Sequence, residues 1–183
     1  MESFIIFFCV FVAVFIIKGV YENKHGAKEK QIRDEKLKNY NLSVRDEFYD
    51  STIGVDEDKR LIVFVEPNKV PILISFDEII DFEILKDSET ISKVSAKGVI
   101  VGGVLAGGLG AIIGSQVGKK SKDKVGSLDL IIRVDKIQNA TIKINFYEKK
   151  QYIPTLKEAT QTMDKWQGIM KVIMERNKNA SLQ

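Results

Sequence analysis

The sequence predicts an α+β protein: an antiparallel β roll closed by a C-terminal helix, tied through a charged helical stalk to an N-terminal transmembrane helix, and interrupted by a glycine-rich insert. Three observations carry this. Short β-branched and aromatic runs bounded by Asp, Pro and Asn recur through residues 52–85 and 127–148, the signature of strands. After Pro154 the period changes: Ala159, Met163, Trp166, Met170 and Ile173 follow steps of four and three, the stripe of an amphipathic helix. Two apolar blocks, at residues 4–17 and 98–118, fit neither pattern.

Taken in order, Phe4–Ile17 (FIIFFCVFVAVFII) is fourteen apolar residues without a polar interruption. Extended through Tyr21, with Lys18 snorkelling, it approaches the roughly 20 residues a helix needs to cross a bilayer. A signal peptide would begin with Lys or Arg and end at small residues; here Met1-Glu2-Ser3 leads and no small-x-small site follows Ile17. An uncleaved anchor over residues 1–21 is the better reading. Lys18, Lys24, Lys28, Lys30 and Arg33 lie on its C-terminal flank, so the positive-inside rule puts the rest of the chain in the cytoplasm, behind a single pass of the inner membrane.

Residues 22–45 read as a solvated stalk or linker, with Glu29/Arg33 and Asp34/Lys38 as acid-to-base pairs at i,i+4 spacing. Basic residues so near a membrane, among them Lys18, Lys24 and Lys28, would attract anionic lipid at about 1 kcal/mol each. The domain proper is expected over residues 46–176. Its strands are Thr52–Val55, Arg60–Glu66 after the acidic turn Asp56-Glu57-Asp58, Val70–Ser75 and Ile80–Leu85. The pattern stops at Lys86–Thr90 and resumes at Ser127–Val134 and Thr141–Glu148, with Asp135–Ala140 as their hairpin loop. Antiparallel strands closed by one helix fit a pleckstrin-homology-like (PH or GRAM) roll; another α+β roll is compatible with the same pattern. Residues 177–183 read as a frayed polar tail.

Between the two β halves, residues 96–120 form the insert. Gly98–Gly118 holds eight of the thirteen glycines and no charge. Glycine costs about 1 kcal/mol relative to alanine inside a helix in water, whereas in a bilayer a helix satisfies backbone groups that are otherwise expensive. Gly98, Gly102, Ala106, Gly110, Gly114 and Gly118 follow a four-residue step, and Gly103, Gly107, Gly110 and Gly114 a 4-3-4 step. Small residues so spaced let helices approach closely, which makes this a glycine zipper; the plainer alternative is a soluble glycine-rich loop. Nucleotide motifs fail: both the dinucleotide fingerprint and the Walker A loop need glycine at 113, which is Ile113, and the latter also needs Ser or Thr where Lys120 stands. Lys93 and Lys97 precede the insert, and Lys119, Lys120, Lys122 and Lys124 follow it. Basic flanks on both sides place both ends in the cytoplasm. If the two β halves share a sheet, the insert must leave and return on one side, as a re-entrant hairpin turning near Ala106–Gly108.

These residues resemble a family of uncharacterised bacterial membrane proteins in which a PH- or GRAM-like domain is interrupted by a glycine-zipper insert. IGVDEDKRLIVF (53–64), ISFDEIIDFEIL (74–85) and VGGVLAGGLGAIIG (101–114) carry the resemblance. It implies the fold and supplies no catalytic residue. Many such proteins carry a short helical oligomerisation module called SHOCT after the closing helix; these residues show no such pattern, so oligomerisation through that module is not an expectation here.

Composition removes whole classes of function. The chain is 44% apolar and 29% charged, with a net charge of +3, too little to suggest a nucleic-acid partner. One cysteine, Cys9, excludes a disulfide framework or cysteine zinc cluster, and one histidine, His25, leaves little for metal or triad chemistry. Asp77, Glu78 and Asp81 read as a solvated strand edge. No catalytic, cofactor-binding or metal residue is therefore expected, and no cofactor or small-molecule substrate. The expected partners are the bilayer and either a second copy or another membrane protein. The leading function is a non-enzymatic scaffold or sensor; the alternative is an oligomeric pore-forming or membrane-perturbing factor of toxin or phage-exclusion type.

Overall fold

A computed structural model describes residues 26–48, 50–66, 68–95, 100–101, 125–150 and 154–180. The expected anchor therefore lies outside the described residues, as does most of the insert. Among the described residues no helix is long and apolar enough to cross a membrane.

Residues 26–37 form a helix, α1, solvent-exposed over much of its surface and docked along one face. Arg33 and Leu37 are buried, and Leu37 packs with Val63 and Val65. The expected i,i+4 pairs are replaced. Asp34 accepts from Arg45, Lys38 pairs with Glu35 one residue nearer than Asp34, and Arg33 has buried nitrogens without an acceptor. The helix lies against a sheet whose charged residues offer better geometry than its own turns do.

β1 (Leu42–Glu47) starts inside the segment expected to be stalk. It begins an antiparallel meander with β2 (Thr52–Asp56), β3 (Leu61–Val65) and β4 (Ile72–Ser75), in the order β1-β2-β3-β4. A bulge between Leu42 and Val44 brings β1 against Gly54. A Cβ at Gly54 would sit 2.7 Å from Leu42 Cδ1 and 3.0 Å from the Val44 carbonyl oxygen, so a side chain there would push Leu42 aside and crowd the Val44 carbonyl.

A 3-10 turn at Phe76–Glu78 redirects the chain into a second antiparallel sheet, of order β7-β6-β5-β8-β9. Its strands are β5 (Ile79–Lys86), β6 (Glu89–Ser95), β7 (Ile100–Val101), β8 (Ser127–Val134) and β9 (Thr141–Glu148). β6 occupies a stretch where no strand was expected. The two β halves do share one sheet, since β8 pairs along β5 from Ile79↔Val134 to Lys86↔Leu128.

α2 (Leu156–Ala180) closes the roll, and all five stripe residues are buried, Trp166 completely. The core lies between the two sheets and α2 and includes Ile53, Phe64, Phe76, Phe82, Leu130 and Phe146. The helix runs on through Asn177 to Ala180, into the expected tail. It is held there because Asn177 Nδ2 donates to the Phe76 carbonyl and Arg176 pairs with Glu57 at 3.3 Å. At its start, Thr155 and Glu158 cap the helix: the Thr155 amide and hydroxyl donate to Glu158 Oε2 at 2.9 and 2.7 Å, and the Glu158 amide returns to Thr155 Oγ1 at 3.3 Å.

Those bonds from Thr155, the hydroxyl's first and the amide's second, hold the Glu158 carboxyl below its ordinary value. A depressed folded pKa contributes stability that is present above the unfolded pKa and lost as pH falls through the folded one. Glu158→Ala should therefore lower the melting temperature near neutral pH. The gap from wild type should narrow in acid, below about pH 4, as followed by circular dichroism.

Candidate functional site at the insert-bearing end of the roll

The site begins at the β5–β6 turn. Asp87 and Ser88 both have positive φ, 52° and 70°, as a two-residue hairpin turn with the twist of its strands requires. This turn aims the Asp87 carboxylate at the start of β8. Asp87 Oδ1 accepts from the Gly126 amide at 2.6 Å and from the Ser127 amide at 3.0 Å. On the other side, the Lys149 amide donates to the Gly126 carbonyl at 2.7 Å. A Cβ on Gly126 would lie 2.9 Å from Asp87 Oδ1. The residue at which the chain re-enters the sheet is thus clamped from both sides.

The departing root is β7, which pairs antiparallel with β6 through Lys93↔Val101 and Val94↔Ile100. It therefore runs back toward the β5–β6 turn. This pairing moves the start of the insert: residues 100–101 belong to the sheet, not to a zipper helix beginning at 96–98. β7, β6, β5 and β8 are consecutive neighbours, so the two roots are three strand spacings apart, roughly 14 Å across the sheet. Val101, level with Lys93, Glu83 and Ile131, stands roughly 17 Å along the strands from Gly126.

The chain entering from the N-terminus reaches the same end. α1 runs antiparallel to β1, with Asp34 bonded to Arg45 and Lys30 Nζ 3.4 Å from Glu47. Its first turn is thus beside the β1–β2 loop. Phe48 of that loop packs at a tilt against Phe146 of β9, with ring centroids 4.6 Å apart. Two residues further, Glu148 pairs with Ser127 at the clamp. Lys28, Lys149, Lys150 and Lys157 are exposed on the segments that meet here.

Asp77, Glu78 and Asp81 do not converge. Asp77 pairs with Arg60 at 2.6 Å and Glu78 with Lys136 at 2.7 Å. Asp81 pairs with Arg133 at 2.7 Å and lies 3.9 Å from Lys93. On the outer face of the second sheet Arg133 also reaches Glu83, and bonding to the Asp81 carboxylate first and to Glu83 after it raises the Arg133 pKa. On the same face Asn145 donates to the buried Asp129 at 2.8 Å, with Lys143 Nζ 2.9 Å from its other oxygen. That ammonium is outside hydrogen-bond geometry, so the contact is a charge pair. Asp81, Glu83 and Asp129 are spent on cross-strand pairing, and Asp77 and Glu78 on pairs between loops. Among the described residues no cluster of His, Cys, Asp and Glu could hold a metal. Gly98, Gly102, Gly103, Gly107, Gly110, Gly114 and Gly118 lie outside the described residues, together with Lys18, Lys24, Lys119, Lys120, Lys122 and Lys124. Sequence reasoning missed Asp87; its signal is the Asp-Ser pair between two strands, legible only once β6 is known.

Asp87→Ala would leave two amides at the insert's root without their acceptor. An unmet bond to a charged partner costs about 1.5–3 kcal/mol, with less expected here because the site is exposed to water. Hydrogen exchange at Gly126 and Ser127 should rise severalfold while the amides of β9 stay protected.

Comparison with known proteins agrees with this architecture. A family described as a glycine zipper containing PH domain matches residues 36–148. The chain is 30% identical over 146 residues to a protein of Bacillus phage SPbeta named Immunity protein, covering 70% of this chain and 72% of that one. It is also 30% identical over 146 residues to the SPbeta prophage-derived uncharacterized membrane protein YomJ of Bacillus subtilis (strain 168). That match covers 70% of this chain and 63% of the relative, under two thirds of its length. No solved structure matches the chain. The sheet interrupted between β7 and β8, the closing helix and the match over residues 36–148 together make this chain a member of the family of PH domains that contain a glycine zipper.

Proposed function

We propose that the chain is a non-enzymatic, membrane-anchored scaffold or sensor whose PH-like roll is held with its insert-bearing end against the bilayer. One observation carries this reading: β7 runs toward the end of the roll at which Gly126 re-enters the sheet and beside which α1 begins. The membrane-protein name of one relative supports it. Phe4–Ile17 is the transmembrane anchor, and the zipper packs in the membrane against a second copy or another membrane protein. Lys28, with Lys18, Lys24 and the lysines at 119, 120, 122 and 124, faces anionic headgroups. The carboxylates of the second sheet have structural work, which fits a role without catalysis.

A second reading has its own support in the relative named Immunity protein: several zippers assemble into a membrane-perturbing element serving immunity. Fractionation of the full chain, and of versions lacking residues 4–17 or 102–124, tests the first reading. The full chain should stay in the membrane pellet after alkaline extraction with Met1 or Glu2 retained; loss of either segment should weaken that retention, and loss of both should release the chain. A mature chain starting near residue 20 would overturn the anchor. Dye leakage from vesicles carrying the full chain would favour the second reading.

A further inference from the structure

The grip of α1 on the first sheet is uneven. Leu37 packs with Val63 and Val65, flanked by Tyr40, Leu42 and Leu61. The other attachments are polar and partly exposed: Asp34 to Arg45, Lys30 to Glu47 at 3.4 Å, and Lys36 Nζ to the carbonyls of Glu66 at 3.0 Å and Lys69 at 2.6 Å. Ion pairs so open to water contribute little. Against them stands Arg33, only 5% exposed. Its Nε and Nη1 are shielded from solvent and have no acceptor. The nearby carboxylates are committed elsewhere, Asp34 and Glu47 to Arg45. A second unmet group lies on the same face of the sheet: Thr52 Oγ1, fully buried and without a partner. Thr52 stands opposite Val65, whose side chain faces α1. While the helix is docked, this burial leaves both groups without a partner. Lifting the helix relieves it, because water then reaches Arg33 and Thr52.

We propose that α1 is a releasable strap, which lifts from the first sheet while the roll stays folded, hydrates Arg33 and bares Leu61, Val63 and Val65. α1 lies immediately before β1 in the chain, so its release lengthens the link between the N-terminal segment and the roll without breaking a strand pair. The inference rests on the docking of α1 alone and stands whether or not residues 4–17 enter a membrane.

The test uses the full chain in detergent micelles with Cys9→Ala to remove background. Val63→Cys places a thiol beneath α1, and Leu128→Cys places one between the sheets, where only opening of the roll exposes it. Labelling at 63 should exceed that at 128 by about a hundredfold, as local opening without global unfolding requires. Arg33→Met removes the buried charge and keeps most of the bulk; it should slow labelling at 63 roughly tenfold and leave 128 unchanged. Equal rates at 63 and 128 would overturn the strap, because α1 would then open only with the roll. An unchanged or faster rate at 63 in Arg33→Met would overturn it as well, by making Arg33 a holding contact. If either cysteine variant misfolds, hydrogen exchange of the otherwise native chain makes the same comparison between the amides of residues 33–37 and those of β8.

Discussion

Trp166→Ala is expected to unfold the roll under conditions where the wild-type chain is stable. The indole is fully buried beside Met163 and Met170, in the core shared by both sheets, and truncating such a side chain costs about 3–5 kcal/mol. Domains of this size are stable by only about 5–15 kcal/mol, so a large share of the total is at stake. The indole Nε1–H also donates to Asp46 Oδ2 at 2.8 Å, which ties α2 to β1. Lys165, 2.5 Å from the same carboxylate, keeps Asp46 paired when the indole is gone. Trp166→Phe should therefore be milder, chiefly the loss of one hydrogen bond, about 1 kcal/mol. Far-ultraviolet circular dichroism in urea separates the two, since Trp166 is the sole tryptophan and its fluorescence goes with it.

The second large effect concerns the zipper. If the face of Gly103, Gly107, Gly110 and Gly114 meets another helix in the membrane, Gly107→Leu or Gly110→Leu should hold the helices apart and lower crosslinked oligomer yield. Overpacking of this kind costs about 1–3 kcal/mol, up to roughly a hundredfold in association. Val104→Leu, on another face, should be milder. Equal yields across the glycine and valine variants would remove the packing role. Lys119→Ala should leave the yield intact; loss of nucleotide binding in that variant would point instead to a phosphate-holding loop.

The parts of the fold that show in the sequence are those whose inward residues are apolar. β2 to β5, β8, β9 and α2 place Ile53, Phe64, Ile74, Phe82, Leu130, Ile144 and Trp166 in one core, and their periodicity reads directly. β6 and β1 escape because each aims a polar residue at a partner distant in the chain. Ser92 of β6 is buried and accepts from Gln167 of α2 at 2.8 Å, while Asp46 of β1 meets Trp166 and Lys165. A polar group satisfied across a core looks like a solvated one in sequence. For the same reason α1 reads as a stalk: the burial of Arg33 and Leu37 is decided by the outer face of a sheet more than twenty residues away. Of the candidate site, the basic flanks and glycine spacing are local and legible. The clamp at Asp87 and the direction of β7 depend on strand pairing and become visible only in three dimensions.

In the proposed arrangement the insert leaves and returns on one side of the membrane. Lys97→Cys and Lys122→Cys, each with Cys9→Ala, place single thiols just before and just after it. In intact cells, a membrane-impermeant thiol reagent should label neither, and after permeabilisation it should label both. Labelling of Lys122→Cys but not Lys97→Cys in intact cells would mean that the insert crosses the bilayer, and would contradict the account.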